Sequence, residues 1–265
     1  MSPLASAALG RALMGAVLLG SLGKGEESVQ LRFRGDGPLG SIVALADCGG
    51  RTRGYVGSPN VTLPRRDDTL DVAAALGSGQ LVVVRHRPGW RKPYTGIVPI
   101  VSGEIAKDLA FYLTESEQTP SAVGLGVRLD SDGSVIAAGG FLAQALPGAE
   151  EEDLARLETN VQQMASVSQT VFEGGANAVI SALTRGLGMQ GIERSVPSFH
   201  CGCAERVVRA VSLLGGDEIR DLCQRREFVE VRCEFCAEQH RVDPESARTL
   251  LATRRVASPT LEPEP

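Results

Sequence analysis

Ser28-Val-Gln-Leu-Arg-Phe-Arg34 alternates apolar and polar residues without a break. Val29, Leu31 and Phe33 fall on one side and Gln30, Arg32 and Arg34 on the other, the period of two of a half-buried strand. Next in the chain, Gly35-Asp-Gly-Pro38 reads as a turn, because Gly and Asp tolerate positive φ and Pro stops further pairing. Residues 41–46, 52–56, 81–86, 95–101, 122–129 and 135–144 read as further strands, and Asp130-Ser-Asp-Gly133 as the turn that closes a hairpin between the last two.

Helical spacing alternates with these strands. Residues 104–117 place Ile105, Leu109, Tyr112 and Leu113 on one face, and Pro120 is expected to end that helix. Residues 150–168 do the same through Leu154, Leu157, Val161 and Met164, with Glu150, Glu151, Glu152 and Asp153 in the first turn, where the helix dipole favours acids. From Thr170 to Gly191 five glycines interrupt the pattern (Gly174, Gly175, Gly186, Gly188, Gly191), which predicts a marginally stable connection.

The longest apolar run, Pro3 to Gly23, lies at the N-terminus. No basic residue precedes it, Arg11 interrupts it, and no small-residue cleavage site stands out, so it does not read as a signal peptide. It is also too short and broken to span a bilayer comfortably. Leu4, Ala8, Ala12, Gly15, Leu19 and Leu22 share a face, and the small residues elsewhere permit close packing, which predicts a buried core helix. So abrupt a start in core-like sequence predicts an upstream strand or helix in the complete fold.

Composition narrows the function classes. The 265 residues are 43 % apolar and 22 % charged, enough to bury a core. A net charge of −5 supplies no field for nucleic acid or an anionic membrane, and 4 % aromatics argue against a stacking platform for single strands. No Ser/His/Asp set, Walker loop or dinucleotide fingerprint is present, and no enzyme is expected.

The strongest chemical signal is Cys201-Gly-Cys203 followed, after 29 residues, by Cys233-Glu-Phe-Cys236. Two close pairs of thiols suit a tetrahedral four-sulfur shell around Zn²⁺, with only the long loop between them to close. That loop carries Val207, Val208, Val211 and Leu214 on one apolar face and Ile219 and Leu222 on another. Residues 228–231 read as a strand leading to Cys233, and Asp243-Pro244 as the start of a final helix. So small a module has little core, so metal binding of roughly 10–16 kcal/mol would be most of its folding free energy.

Such a site reads in two ways: a structural zinc ribbon, or a redox switch in which adjacent thiolates trap a sulfenic acid as a disulfide. His240 and His200 could each replace a ligand, but with four cysteines available both read as surface or outer-shell residues. Cys223 reads as a small core residue, Cys48 as a turn or strand-end thiol, and His86 as solvated. A ribbon serving nucleic-acid or protein binding is the alternative, yet residues 199–245 carry seven Arg and no Lys against ten acids, a balance of −3. Four thiolates also leave no open position for a catalytic water.

Leu31-Arg-Phe-Arg-Gly-Asp-Gly-Pro-Leu-Gly40, Tyr94-Thr-Gly-Ile-Val-Pro99, Ser102-Gly-Glu-Ile-Ala106, Tyr112-Leu-Thr-Glu-Ser-Glu-Gln118, Ala137-Ala-Gly-Gly-Phe-Leu142 and the paired cysteines led by Phe199-His200 together resemble one family. It is the 33-kilodalton heat-shock protein family, redox-regulated holdase chaperones of the bacterial cytosol. The resemblance implies an α+β chain: an N-terminal α/β domain with a mixed sheet and packed helices over 1–148, a metastable helical linker over 149–197, a small zinc-binding redox-switch module over 198–252, and a disordered tail over 253–265. It implies one Zn²⁺ held by Cys201, Cys203, Cys233 and Cys236 in a reduced, inactive state. Oxidation would form Cys201–Cys203 and Cys233–Cys236 disulfides, release zinc, unfold the module, and expose apolar surface for unfolding client proteins without nucleotide. A cytoplasmic location and a homodimer in the oxidised state follow from the same resemblance, with neither nucleic acid nor membrane as partner. The family also carries a segment ahead of the first helix, so a weaker sheet or dimer is expected here.

Overall fold

The computed structural model describes residues 1–242, apart from 67, 68, 165, 189, 190, 192, 205, 208–215, 226 and 227. The proposed apolar face of Val208, Val211 and Leu214, the helix from Asp243-Pro244 and the tail lie outside the described residues, as do the side chains of Ile219, Leu222 and Cys223. Met1–His200 form one compact unit, and the described residues from Cys201 onward form a second.

The first unit is built on a six-stranded sheet. Its strands are β1 (Ser28–Gly35), β2 (Ser41–Asp47), β3 (Arg51–Val56), β4 (Gly79–His86), β5 (Tyr94–Pro99) and β8 (Ser198–Phe199), in the order β5-β4-β1-β2-β3-β8. The alternating segment is central: β1 pairs antiparallel with β2 on one side and β4 on the other, so Leu31 faces Ala44 and Val83. Val29, Leu31 and Phe33 are buried as the period of two requires. Only the short β8 runs parallel to its neighbour, β3, which makes the sheet mixed.

Helix α1 (Pro3–Ser21) is the predicted core helix. Ser2 caps it by accepting the Ala5 N–H at 3.2 Å, and Leu4, Ala8, Ala12, Gly15 and Leu19 are buried. Leu22 departs from the expectation: it lies past the last turn and is exposed. The helix is long and apolar enough to cross a membrane by composition, but most of it is buried within the fold. Small residues set its depth. A Cβ on Gly54 of β3 would stand 3.0 Å from both Leu9 and Leu13 of α1, and one on Gly15 would stand 2.5 Å from Leu109.

The loop from Gly35 to Gly40 is a turn, but for a reason other than the expected one. Among its glycines only Gly40 adopts positive φ, at 69°. Gly35 and Gly37 are needed for close approach: a Cβ on Gly35 would lie 1.7 Å from the Leu76 carbonyl oxygen, and one on Gly37 2.4 Å from that of Ala75. The loop docks the end of α2 (Val72–Leu76), with Gly37 N–H donating to Leu76 O and Leu39 N–H to Ala75 O, both at 2.9 Å.

Helix α3 (Ile105–Glu115) buries Ile105, Leu109, Tyr112 and Leu113 as its spacing predicts. It stops before Pro120, where Gln118 turns to φ 54° and Thr119 N–H returns to the Leu113 carbonyl. Asp108 on its inner side is buried too, and its Oδ1 accepts the Val101 and Ser102 N–H groups and the Ser102 hydroxyl. This fixes the Ser102-Gly103 loop against the helix start.

The hairpin β6 (Ser121–Leu129) and β7 (Val135–Gln144) closes through Asp130–Gly133 as expected, with Gly133 at φ 84°. Helices α4 (Glu151–Gln163) and α5 (Val167–Leu183) then cover it. Its glycines form a floor on which α5 rests: a Cβ on Gly126 would meet the Ser168 amide at 2.5 Å, and one on Gly139 would meet Val171 at 2.8 Å. Phe141, Val179 and Leu183 form the buried centre, flanked by Leu157, Val161, Met164 and Val171. The glycine-rich stretch is more helical than its composition suggests. Within α5 the break is confined to Gly174 and Gly175, the latter at φ 62°, with the helix resuming beyond as far as Leu183, while Gly186 and Gly191 follow it at φ 75° and 65°.

Candidate metal centre

Four sulfurs converge in the second unit. Cys201, Cys203 and Cys233 are buried and Cys236 is half-buried. Between the first two, Gly202 adopts φ 54°, a left-handed conformation in which glycine carries no steric cost. The second pair occupies the loop of a hairpin formed by β9 (Val229–Arg232) and β10 (Gln239–Val242). The predicted strand into Cys233 is therefore present, shifted by one residue. The loop is closed by Cys233 N–H to Glu238 O at 2.9 Å and by Ala237 N–H to Cys233 O at 2.8 Å. Helix α6 (Gly216–Arg225) lies between the two pairs in sequence.

The ligand atoms of all four cysteines lie within 4.8 Å of one another. Cys201 Sγ is 3.5 Å from Cys233 Sγ, and Cys203 Sγ is 3.5 Å from Cys236 Sγ. A disulfide needs about 2.05 Å. Thiolates placed tetrahedrally at about 2.3 Å from a zinc ion would be about 3.8 Å apart. The cluster has the dimensions of a shell around one cation.

Its electrostatics point the same way. Burial pushes the Cys233 thiol up, but backbone N–H groups of Cys236 and Phe235 and the neighbouring Cys201 and Cys236 thiols outweigh this and bring it down to about 6. Burial raises Cys201, and contacts with Cys233 and Cys236 raise it further. Cys203 is raised by burial first, then by Cys236, Cys201 and the Glu238 carboxylate. Without a cation the cluster favours the thiolate at Cys233 and holds Cys201 and Cys203 protonated, whereas a divalent ion would favour all four thiolates.

Three neighbours were not assigned to the site by spacing. Arg206 donates to Cys201 Sγ at 3.3 Å while its guanidinium lies 5.2 Å from the Phe235 ring. Glu238 Oε2 is 3.4 Å from Cys203 Sγ. His240 Nε2, expected at the surface or in the outer shell, lies 3.1 Å from Cys203 Sγ with its side chain 15 % exposed. A cysteine followed three residues later by arginine was the one visible sign of Arg206; nothing local marked Glu238. His200 belongs to the first unit, where it lines a hollow with Asp47 and Arg51. Cys48 is a strand-end thiol whose Sγ contacts the Gly25 carbonyl at 2.6 Å, and His86 is exposed.

Comparisons with known proteins cover both units. A family model described as "Hsp33 protein" matches residues 1–243. The "33 kDa chaperonin" of Desulforamulus reducens is 42 % identical over 252 residues, spanning 94 % of this chain and 85 % of that protein. That of Symbiobacterium thermophilum is 46 % identical over 247 residues, 92 % of this chain and 83 % of the relative. The crystal structure of the 33 kDa chaperonin from Thermotoga maritima is similar with a TM-score of 0.84 at 35 % identity, covering 97 % of this chain and 88 % of that one.

Proposed function

Because this chain belongs to the Hsp33 family of chaperones, we propose that it is a redox-regulated, ATP-independent holdase whose reduced form is held inactive by one zinc ion. The observation that carries this reading is the convergence of four cysteine sulfurs within 4.8 Å in a unit with little other described core. Cys201, Cys203, Cys233 and Cys236 would hold the metal, and when bound it supplies folding free energy to the module.

The residues then act in sequence. Hydrogen peroxide takes two electrons from each close pair of thiolates and two protons from the solvent, leaving Cys201–Cys203 and Cys233–Cys236 disulfides and two waters per disulfide. Disulfide sulfurs are poor ligands, so this oxidation removes the site's hold on zinc and with it the module's main source of stability. The functional parts are residues 1–148 as the chaperone domain, 149–197 as the linker, 198–252 as the switch, and 253–265 as a tail.

Loss of the switch would loosen the linker. Helix α5 already deviates at Gly174-Gly175, and through its own Val179 and Leu183 it covers the apolar face of the hairpin around Phe141, Ala122 and Ala143. Freeing that face would give unfolding polypeptides an apolar surface to bind. The protein would act in the cytoplasm, dimerise when oxidised, and need neither nucleic acid nor membrane. Light scattering of a heat-denatured client in the presence of reduced and peroxide-treated protein tests this: suppression is expected only after oxidation. Equally negligible suppression in both states would overturn it.

A further inference from the structure

Immediately before Cys201 the chain is still part of the six-stranded sheet. Strand β8 (Ser198–Phe199) runs parallel along the outer side of β3, paired with Arg51 and Thr52. Ser198 N–H donates to the Gly50 carbonyl and His200 N–H to the Thr52 carbonyl, both at 3.0 Å. We propose that β8 is a removable cover, and that the β3 edge beneath it binds an extended segment of an unfolding client as an added strand. This inference rests on the redox-switch reading above, and it adds a backbone site to the apolar face under α5.

The cover is lightly seated. Every described residue from Gly191 to His200 is exposed, and Phe199 keeps 64 % of its surface. With neither side chain buried, β8 is held by backbone bonds and by its covalent junction with Cys201. Once oxidation unfolds the residues beyond His200, that junction no longer fixes the end of the strand. Segments with exposed backbone bonds and few buried contacts are the ones that open at low cost.

The edge beneath suits a strand. β3 has six residues, Arg51–Val56, none of them proline, and β8 pairs with only two of them. Arg53 and Tyr55 lie opposite Leu45 and Val43 of β2, and in the same phase Gly57 N–H donates to the Ser41 carbonyl at 2.8 Å. Odd-numbered residues therefore turn their backbone groups toward β2, and even-numbered ones turn theirs outward. The row of carbonyls that β8 uses at Gly50 and Thr52 continues through Gly54 and Val56. A longer strand in the place of β8 would extend along that row. Main-chain pairing of this kind gives affinity without reading side chains, which fits a chaperone that meets many unfolded sequences. The opposite edge of the sheet, β5, carries Pro99, which has no N–H to donate. No described strand covers β5, so oxidation has no cover to remove there.

Residue-resolved amide exchange on the full chain tests both halves of the proposal. The states compared are reduced, oxidised, and oxidised with reduced, carboxymethylated α-lactalbumin as an unfolded probe. Oxidation is expected to speed exchange at the Ser198 and His200 amides by roughly tenfold or more, and the probe to slow it at Gly54 and Val56 by a similar factor. Protection of Ser198 and His200 that survives oxidation, or exchange at Gly54 and Val56 indifferent to the probe, would overturn the proposal. Val56→Pro removes one outward N–H and leaves the bonds to β2 in place. It should weaken binding of the probe to oxidised protein roughly tenfold, and unchanged binding by the folded variant would also overturn the proposal. Should Val56→Pro fail to fold, the exchange experiment on the wild-type chain decides alone. Oxidised wild-type protein that does not bind the probe would instead overturn the holdase reading beneath it.

Discussion

The Asn160 side-chain amide donates to the Leu183 carbonyl at 2.8 Å, so a residue on α4 caps the last turn of α5. The same nitrogen reaches the Arg185 carbonyl at 2.9 Å, and Asn160 is buried. One amide thus ties together the two helices that cover the β6–β7 hairpin. Asn160→Ala would leave these acceptors without that donor, at a cost of about 1–3 kcal/mol. Hydrogen exchange in the reduced state should quicken by roughly tenfold or more across α5. Unchanged exchange there would show that Asn160 is not the fastening.

The glycine floor under α5 makes a second prediction. Gly139→Val would push branched carbons into space that Val171 fills, since even a Cβ would approach it to 2.8 Å. Overpacking of this kind costs about 1–3 kcal/mol, and helix displacement is the cheapest relief. The reduced variant should bind a hydrophobic dye and suppress client aggregation without oxidant. Dye binding at the wild-type level would contradict the assignment of this seam as the covered client surface.

Chelation of the metal should divide the molecule in two. A strong chelator under reducing conditions is expected to make residues beyond Cys201 protease-sensitive, because about 10–16 kcal/mol of binding free energy is withdrawn from a module with little core. The six-stranded sheet owes nothing to the metal and should remain resistant. Equal resistance of both units after complete metal removal would show the second to be stable on other grounds.

Tyr112 sets an alkaline limit. Its hydroxyl donates to Glu117 Oε1 at 2.7 Å, and Glu117 also holds Arg85 through two contacts of 2.6 and 2.9 Å. Burial first, then the Glu117 hydrogen bond and charge, hold the phenol well above its usual range, against an opposing pull from Arg85. The unfolded chain therefore releases this proton first. Stability is undiminished below about pH 10 and falls above it, by up to about 1.4 kcal/mol per pH unit. Tyr112→Phe should lower the urea midpoint at neutral pH and flatten the decline between pH 10 and 12. Equal slopes in the two proteins would remove Tyr112 as the cause.

What could be read in advance follows from the range of each signal. Val29, Leu31 and Phe33 announce their strand because the period of two is local. The Asp130–Gly133 turn and the inner face of α3 are legible for the same reason. The two cysteine pairs needed only short spacings and the chemistry of sulfur. By contrast, Gly35 and Gly37 owe their identity to carbonyls of Ala75 and Leu76, some forty residues away, and were misread as positive-φ residues. Asp108 is buried because the loop amides six and seven residues before it need an acceptor, which no amphipathic pattern shows. His240 meets Cys203 across 37 positions of sequence, and only the folded hairpin brings them together.

The bare floor of the β6–β7 hairpin has a practical consequence. Where a helix lies on glycine, single added carbons set how tightly it is seated. On the proposed reading, the threshold for releasing that cover can therefore be tuned in small steps at Gly126 and Gly139, leaving the sulfur chemistry of the cysteine cluster untouched, which makes sensitivity and detection separately adjustable in an engineered version.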